Sequence, residues 1–479
     1  MEGAKTAQLC PQSLTGRAII LGKSGKDILL SALRNEPTER PGWVPFVGCH
    51  GGALIGAAAD DYLRSPDLIV QGLLKANELY QPDGLPITFD LQAEAEILGC
   101  ELRWASDGPP SVASHPLANG MAIDDLPAFS ADAGRFPVTL EALRQVKAQI
   151  GDTVALFGLI CGPFTLALHL LGNNIFLDMF DDEEGVRGLV EYCARVGMQA
   201  ADAYIDNGAD VVAVVDPMVS QISPGHFTQF VSGPASSLFD HIRGRDTVAT
   251  LFCCGDATRN LEVMADTTCD GVFVDENVDL SLLREIAQAR GKSYGGNLQL
   301  TVVLLLGSEA DARRAAANCI DIGDSRGYIL APGCDLPYDT PPENVAAAGR
   351  MALDEYARQV ARETLVEADA ESFDDIALPD YESGDTVIVD VITLDSSTCA
   401  PCQYMMDAAR RAAKEIGSGV VVNEHKITRR EGLGVFCRLN AGHVPTICID
   451  GKPTFISIIP DGPQLVNAIR ERLEEKRTG

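Results

Sequence analysis

A chain of 479 residues exceeds what one hydrophobic core usually spans, so two or more domains are expected. With 46% hydrophobic and 22% charged residues the composition is globular, and no run approaches the ~18 uninterrupted apolar residues of a membrane span. A formal charge of -30, from 68 acidic against 38 basic side chains, repels polyphosphate and argues against nucleic acid as a ligand.

The N-terminal MEGAKTAQLCPQSLTGR lacks the basic region, apolar core and small-residue cleavage site of a secretory leader, which points to the cytoplasm. Scattered and without a leader, the 14 cysteines do not read as a secreted disulfide framework. Metal ligation and redox chemistry are then the uses to look for.

Apolar runs recur along the first 350 residues, at 43–49, 85–90, 154–162, 209–216, 247–255, 271–276 and 327–334, with amphipathic stretches between them. Continuously apolar strands alternating with helices predict a parallel sheet covered on both faces. In 183–208, Val186, Leu189, Val190, Cys193 and Val196 recur at helical spacing, and Asn207-Gly208 supplies the stop. No GxGxxG turn opens the series, so a (β/α)8 barrel is expected over residues 1–360 rather than an open dinucleotide-binding sheet. Residues 361–385 carry nine acidic side chains and one basic, the composition of a linker. The pattern then restarts over 386–479: a strand, Cys399-Ala-Pro-Cys402 opening a helix, a second strand, a hairpin containing Val444-Pro445-Thr446, and a closing helix from Pro463. That order and a CxxC at a helix start are what a small thioredoxin-like domain needs.

In a parallel barrel the loops after the strands build the active site, so polar residues at strand C-termini are the first candidates. Two thiolates with one carboxylate make a zinc site that keeps a fourth position open, and Cys254, Glu276 and Cys334 are the expected ligands. Adjacent strand residues face opposite ways, so Cys253 and Cys254 do not bind the same ion and one of them sits in the wall. Asp216 is a candidate catalytic carboxylate or a cap for the following segment, while His50, Asp90 and Asn297 are candidate substrate contacts. At the second domain, Cys399 at a helix N-terminus and Cys402 one turn on form a candidate redox dithiol.

The first 355 or so residues resemble the uroporphyrinogen decarboxylase superfamily, and more closely its corrinoid-linked methyltransferase branch. The words that carry the resemblance are ICGPFTLA (160–167), NGADVVAVVDPM (207–218), ISPGHFTQFV (222–231), the segment 253–280 from CCGDATRN to ENVDL, GGN (295–297) and YILAPGCDLPYDTPPENVAA (328–347). Porphyrin-processing members carry an arginine motif near the N-terminus where this chain reads VPFVGCHGGAL, so decarboxylation is not implied. The methyltransferase branch implies zinc held by a His-x-Cys-Gly word and a later Pro-Gly-Cys word. Cys254 and Cys334 match, but Phe252 stands where the histidine belongs. Glu276 lies where similar cobalamin-independent methionine synthases place a glutamate ligand.

The resemblance implies methyl transfer between a small substrate, either a thiol or a methylated or methoxylated donor, and a cobalamin. With no Asp-x-His-x-x-Gly word in the chain, the cobalamin is expected on a separate corrinoid protein. Residues 386–479 resemble thioredoxin-like domains. Their dithiol could keep the zinc cysteines reduced or exchange with a thiol substrate. Two alternatives remain open at this point: a zinc-free barrel binding a small ligand or tetrapyrrole beside an oxidoreductase domain, and a non-enzymatic scaffold.

Overall fold

A computed structural model describes residues 23–323, 326–364, 372–382 and 384–478. The expectations for the N-terminal segment 1–22 and for 365–371 of the acidic stretch lie outside the described residues. No described helix is long and apolar enough to cross a membrane.

Eight parallel strands form one sheet: β1 Gly42–Trp43, β2 Gly84–Pro86, β3 Ala155–Cys161, β4 Val211–Val215, β5 Val248–Cys253, β6 Gly271–Val274, β7 Ser293–Leu298 and β8 Tyr328–Pro332. The spatial order β1-β8-β7-β6-β5-β4-β3-β2 is the sequence order wrapped round, as a barrel requires. Asp83 joins the two end strands. Its N–H donates to Trp43 O (2.9 Å), its carboxylate accepts from Trp43 N–H (2.9 Å), and Arg40 pairs with that carboxylate at 2.5 Å. The apolar run at 43–49 enters the sheet only at its first residue.

The helices follow local sequence signals. In α1 (Gly25–Leu33), Ser24 Oγ accepts from Asp27 N–H (3.1 Å) while the Asp27 carboxylate accepts from Ser24 N–H (3.0 Å), a reciprocal cap. α2 spans Pro66–Tyr80 and α3 spans Pro163–Leu171. α4, Glu183–Asp206, buries the periodic residues named above and ends at Asn207, with Gly208 in the left-handed region at φ +99°. Inside the barrel, Phe46, Phe89, Phe252 and Phe273 form an aromatic cluster, the Phe46 and Phe252 ring centres lying 4.9 Å apart.

The acidic stretch is not a linker throughout. Helix α5 (Glu355–Thr364) packs beside the barrel, and from 373 the chain lies against the C-terminal unit. Ile376, Leu378 and Tyr381 pack on the core of that unit, and Arg430 holds Asp375 at 2.8 Å.

The C-terminal unit contains β9 (Val387–Thr393), α6 (Ala400–Ile416), β10 (Val420–Lys426), α7 (Arg430–Arg438), β11 (Thr446–Ile449), β12 (Lys452–Ile456) and α8 (Gly462–Thr478). Its sheet runs β10-β9-β11-β12, with β9 and β10 parallel and the other pairs antiparallel. The order strand, helix, strand, hairpin, helix is the one read from the sequence, with α7 added between the second strand and the hairpin. One core lies between the sheet and α6 with α8, and a second lies under α7.

Candidate active site

A cavity of about 310 Å³ lies at the C-terminal ends of the barrel strands, within the size range of small-molecule sites. Loops after β1, β2, β4, β5, β6, β7 and β8 contribute to its wall, among them Cys49, Gln92, Gln221, Cys254, Glu276 and Cys334. The remaining wall comes from the C-terminal unit, including Cys399, Cys402 and the Val444-Pro445 turn. One enclosure thus brings together all five of these expected residues: Cys254, Glu276, Cys334, Cys399 and Cys402.

Cys254 and Cys334 are paired as a disulfide across 80 residues of chain, with their Cα atoms 5.8 Å apart. Joined in this way, the two sulfurs offer no thiolate to a metal. Among the described residues, no group of three or more His, Cys, Asp or Glu side chains is arranged to hold a metal ion. Cys253 is fully buried in the wall, as strand alternation requires. Phe252 belongs to the aromatic cluster and has no nitrogen to offer.

The loop after β6 positions this wall. Asp275 accepts from Gly255 N–H, fixing the turn that follows Cys254, and from Asn277 N–H (2.8 Å). Glu276 reaches towards the other cysteine: a Cβ at Gly333 would stand 2.3 Å from Glu276 Oε2, so only glycine lets the two segments approach so closely. Burial, and next the Asp275 charge, hold the Glu276 carboxyl well above the usual range.

In the C-terminal unit Cys399 occupies the N-cap of α6, half-buried at the cavity, while Cys402 is buried one turn below. Their sulfurs lie 2.8 Å apart. Burial first, and then its neighbour Cys399, push the Cys402 thiol up. Leu394 N–H donates to Cys402 Sγ at 3.3 Å.

The domains are joined by specific contacts. Gln403 Nε2 donates to Val112 O (2.6 Å), Ile459 N–H donates to Gln221 Oε1 (3.0 Å), and His443 Nδ1 bonds Asn277 Oδ1 (2.9 Å). Ala400 and Tyr404, from the first turns of α6, pack into the barrel's own core.

The other expected site residues lie off the cavity wall. Asp216 caps α3: its carboxylate accepts from Phe164 N–H (3.0 Å), Thr165 N–H (2.9 Å) and Thr165 Oγ1 (2.6 Å). Burial pushes it up to about 6 despite those donors. His50 is buried with both ring nitrogens engaged. Because a carbonyl only accepts, Nδ1–H donates to Tyr338 O (3.0 Å), and Nε2 accepts from Tyr80 O–H (2.7 Å). Asp90 pairs with buried Arg135. Asn297 Nδ2 donates to Asp275 O (3.1 Å) and Val278 O (2.7 Å), so it braces the β6 loop from behind.

Gln92, Gln221, Asn277 and Asp335 are cavity residues that inspection of strand ends does not find. Each lies further along its loop than the strand terminus. Asp335 does sit beside Cys334 in the Pro-Gly-Cys-Asp word, and its carboxylate accepts from Gly48 N–H (2.8 Å).

The family model for uroporphyrinogen decarboxylase (URO-D) matches residues 24–352, ending before the C-terminal unit. The methylcobamide:CoM methyltransferase MtbA of Methanosarcina acetivorans is 30% identical over 331 residues, covering 67% of this chain and 95% of its own length. MtaA of Methanosarcina barkeri, also a methylcobamide:CoM methyltransferase, is 29% identical over 352 residues, covering 69% and 98%. Among solved structures, a methyltransferase from Methanosarcina mazei has a TM-score of 0.63 at 26% identity, covering 71% of this chain and 99% of its own. With its barrel matched from 24 to 352 and relatives aligned over nearly their whole length, the chain belongs to the uroporphyrinogen decarboxylase family.

Proposed function

We propose that the barrel catalyses methyl transfer between a small substrate, a thiol or a methylated or methoxylated donor, and a cobalamin presented by a separate corrinoid protein. One observation carries the reading: in a barrel whose relatives are named methylcobamide:CoM methyltransferases, Cys254, Cys334 and Glu276 converge on one cavity wall. Two sulfurs and a carboxylate are a donor set for catalytic zinc, three protein ligands leaving one position open. The set becomes available when the Cys254–Cys334 bond is reduced.

Zinc held there supplies a Lewis acid that lowers the pKa of a bound thiol or polarises a methyl ether. The chain's own residues do the rest. Asp275 fixes the turn after Cys254, and Asn297 holds the Asp275 loop. A cavity of about 310 Å³ admits a small substrate and leaves the much larger corrin outside, so the cobalamin approaches from a partner.

Metal content and turnover of protein reduced and kept free of oxygen test this reading. We expect about one zinc per chain in the wild type, lost in Cys254→Ser and in Cys334→Ser. Methyl transfer between methylcobalamin and thiols should fall on the order of a hundredfold in both variants. A reduced wild type without zinc would sink the metal assignment, and a zinc-loaded protein inert towards cobalamin and every donor class would sink the reaction.

A further inference from the structure

We infer that the C-terminal dithiol has a substrate inside its own chain: Cys399 and Cys402 reduce the Cys254–Cys334 disulfide across the shared cavity. The inference rests on the reading of Cys399 and Cys402 as a redox-active dithiol and gives that dithiol its target.

Three observations converge. The four sulfur-bearing residues line one cavity of about 310 Å³, two contributed by each domain. Each pair is close enough to open or close as a disulfide within its own domain: Cys254 and Cys334 are joined with their Cα atoms 5.8 Å apart, and the Cys399 and Cys402 sulfurs lie 2.8 Å apart. The unit carrying the dithiol is held in that position by the Gln403, His443 and Ile459 contacts and by Ala400 and Tyr404 in the barrel core, so the encounter needs no diffusional search.

Accessibility assigns the roles. Cys399, at the helix N-terminus and facing the cavity, is the attacking thiolate, and buried Cys402 is the resolving thiol. Cys399 attacks one sulfur of the barrel pair, forming a mixed disulfide and releasing the other barrel sulfur as a thiolate. Cys402 then gives up its proton and attacks Cys399 Sγ, expelling the second barrel thiolate. Two electrons and two protons pass from the C-terminal dithiol to the barrel cysteines, and a Cys399–Cys402 disulfide remains. An external dithiol reductant returns that disulfide to the dithiol and completes the cycle. Each turn frees the two sulfurs that the proposed zinc site requires.

The test traps the intermediate in the full-length protein. Oxidised Cys402→Ser and Cys402→Ala proteins are exposed to limiting dithiothreitol, quenched with an alkylating agent, digested and mapped by mass spectrometry. We expect a peptide linking Cys399 to Cys254 or to Cys334, absent from Cys399→Ser. In the wild type under the same limiting reductant, free Cys254 and Cys334 should appear about tenfold faster or more than in Cys399→Ser, because the tethered dithiol acts at an effective concentration in the millimolar range.

Equal rates in wild type and Cys399→Ser, with no linking peptide in either trap variant, would overturn the relay. So would a barrel pair that never oxidises. A parallel titration in glutathione buffers keeps the two readings apart. A Cys399–Cys402 pair that cycles reversibly while Cys254–Cys334 ignores it leaves the dithiol reading intact and removes only the relay. Failure of Cys399 and Cys402 to cycle at all removes both.

Discussion

Glu94 carries its carboxyl group into the barrel wall, where it is 1% exposed. Cys161 N–H donates to Oε1 at 3.2 Å, while Oε2 meets no hydrogen-bond partner among the described residues. Burial pushes this group up to about 7, so it is protonated through most of the acidic range. A folded-state value raised above the unfolded one contributes stability that is fully present below about pH 4.5 and is lost as the pH rises through about 7. Glu94→Gln keeps the shape and removes the titration. Against wild type it should gain roughly 2 kcal/mol between pH 5 and pH 8 in denaturant unfolding. A constant difference across that range would mean that Glu94 ionises as it does in the unfolded chain. Residue roles of this kind were the least legible part of the sequence. Asp216, His50 and Asp90 lie past strand ends and Asn297 lies inside β7 near its end, but whether a polar side chain there turns to the cavity or to a neighbouring backbone group depends on loop geometry that composition does not encode.

At the scale of elements, α3 shows how one βα unit is completed by the next. Its N-cap is Gly162, which has no side chain to cap with, and the cap is delivered by Asp216 at the end of β4. The absence of a side chain is required, because a Cβ at Gly162 would lie 2.2 Å from Asp216 Cβ. Asp216→Ala should therefore cost about 2 kcal/mol or more by leaving buried amides unpaired, and Gly162→Ala should cost a similar amount by displacing the carboxylate. The double variant tests the link. Sub-additive losses are expected of residues sharing one interaction, whereas simple addition would show two independent defects. Strands such as Val211–Val215 and helices such as Glu183–Asp206 were legible because burial on both faces, or on one stripe, forces an apolar pattern. β7 was not announced by any apolar run, since Ser293, Gly295, Gly296 and Asn297 dilute it. The space a side chain would take at Gly295 is filled by the Phe273 ring, 2.2 Å from where the Cβ would lie. α7 escaped for a related reason: Gly432 and Gly434 lower its helical propensity while allowing close approach to Lys426 and Ile376.

At the scale of the whole molecule, the position that serves the sulfur chemistry conflicts with the proposed partner. The C-terminal unit forms part of the wall around the cavity mouth, the route by which, on the proposed function, a protein-bound cobalamin reaches the small substrate. Two states are therefore needed: a docked one for reducing Cys254–Cys334, and an undocked one for methyl transfer. Gly108 lies at the seam, where an added Cβ would stand 2.4 Å from Thr398 Cγ2 and 3.1 Å from Thr398 Cβ, one residue before Cys399. Its backbone does not need glycine's positive φ, so a larger side chain there opposes docking by volume alone. Gly108→Leu should shift the balance to the undocked state, enlarging the radius of gyration in solution scattering and raising amide exchange around Gln221 and Asn277, which the C-terminal unit contacts. It should also slow release of the Cys254 and Cys334 thiols under limiting reductant, while transfer from a corrinoid protein that has already been methylated holds or rises. Slower methyl transfer with unchanged folding stability would instead mean that the docked unit takes part in the transfer, leaving the corrinoid to approach past it.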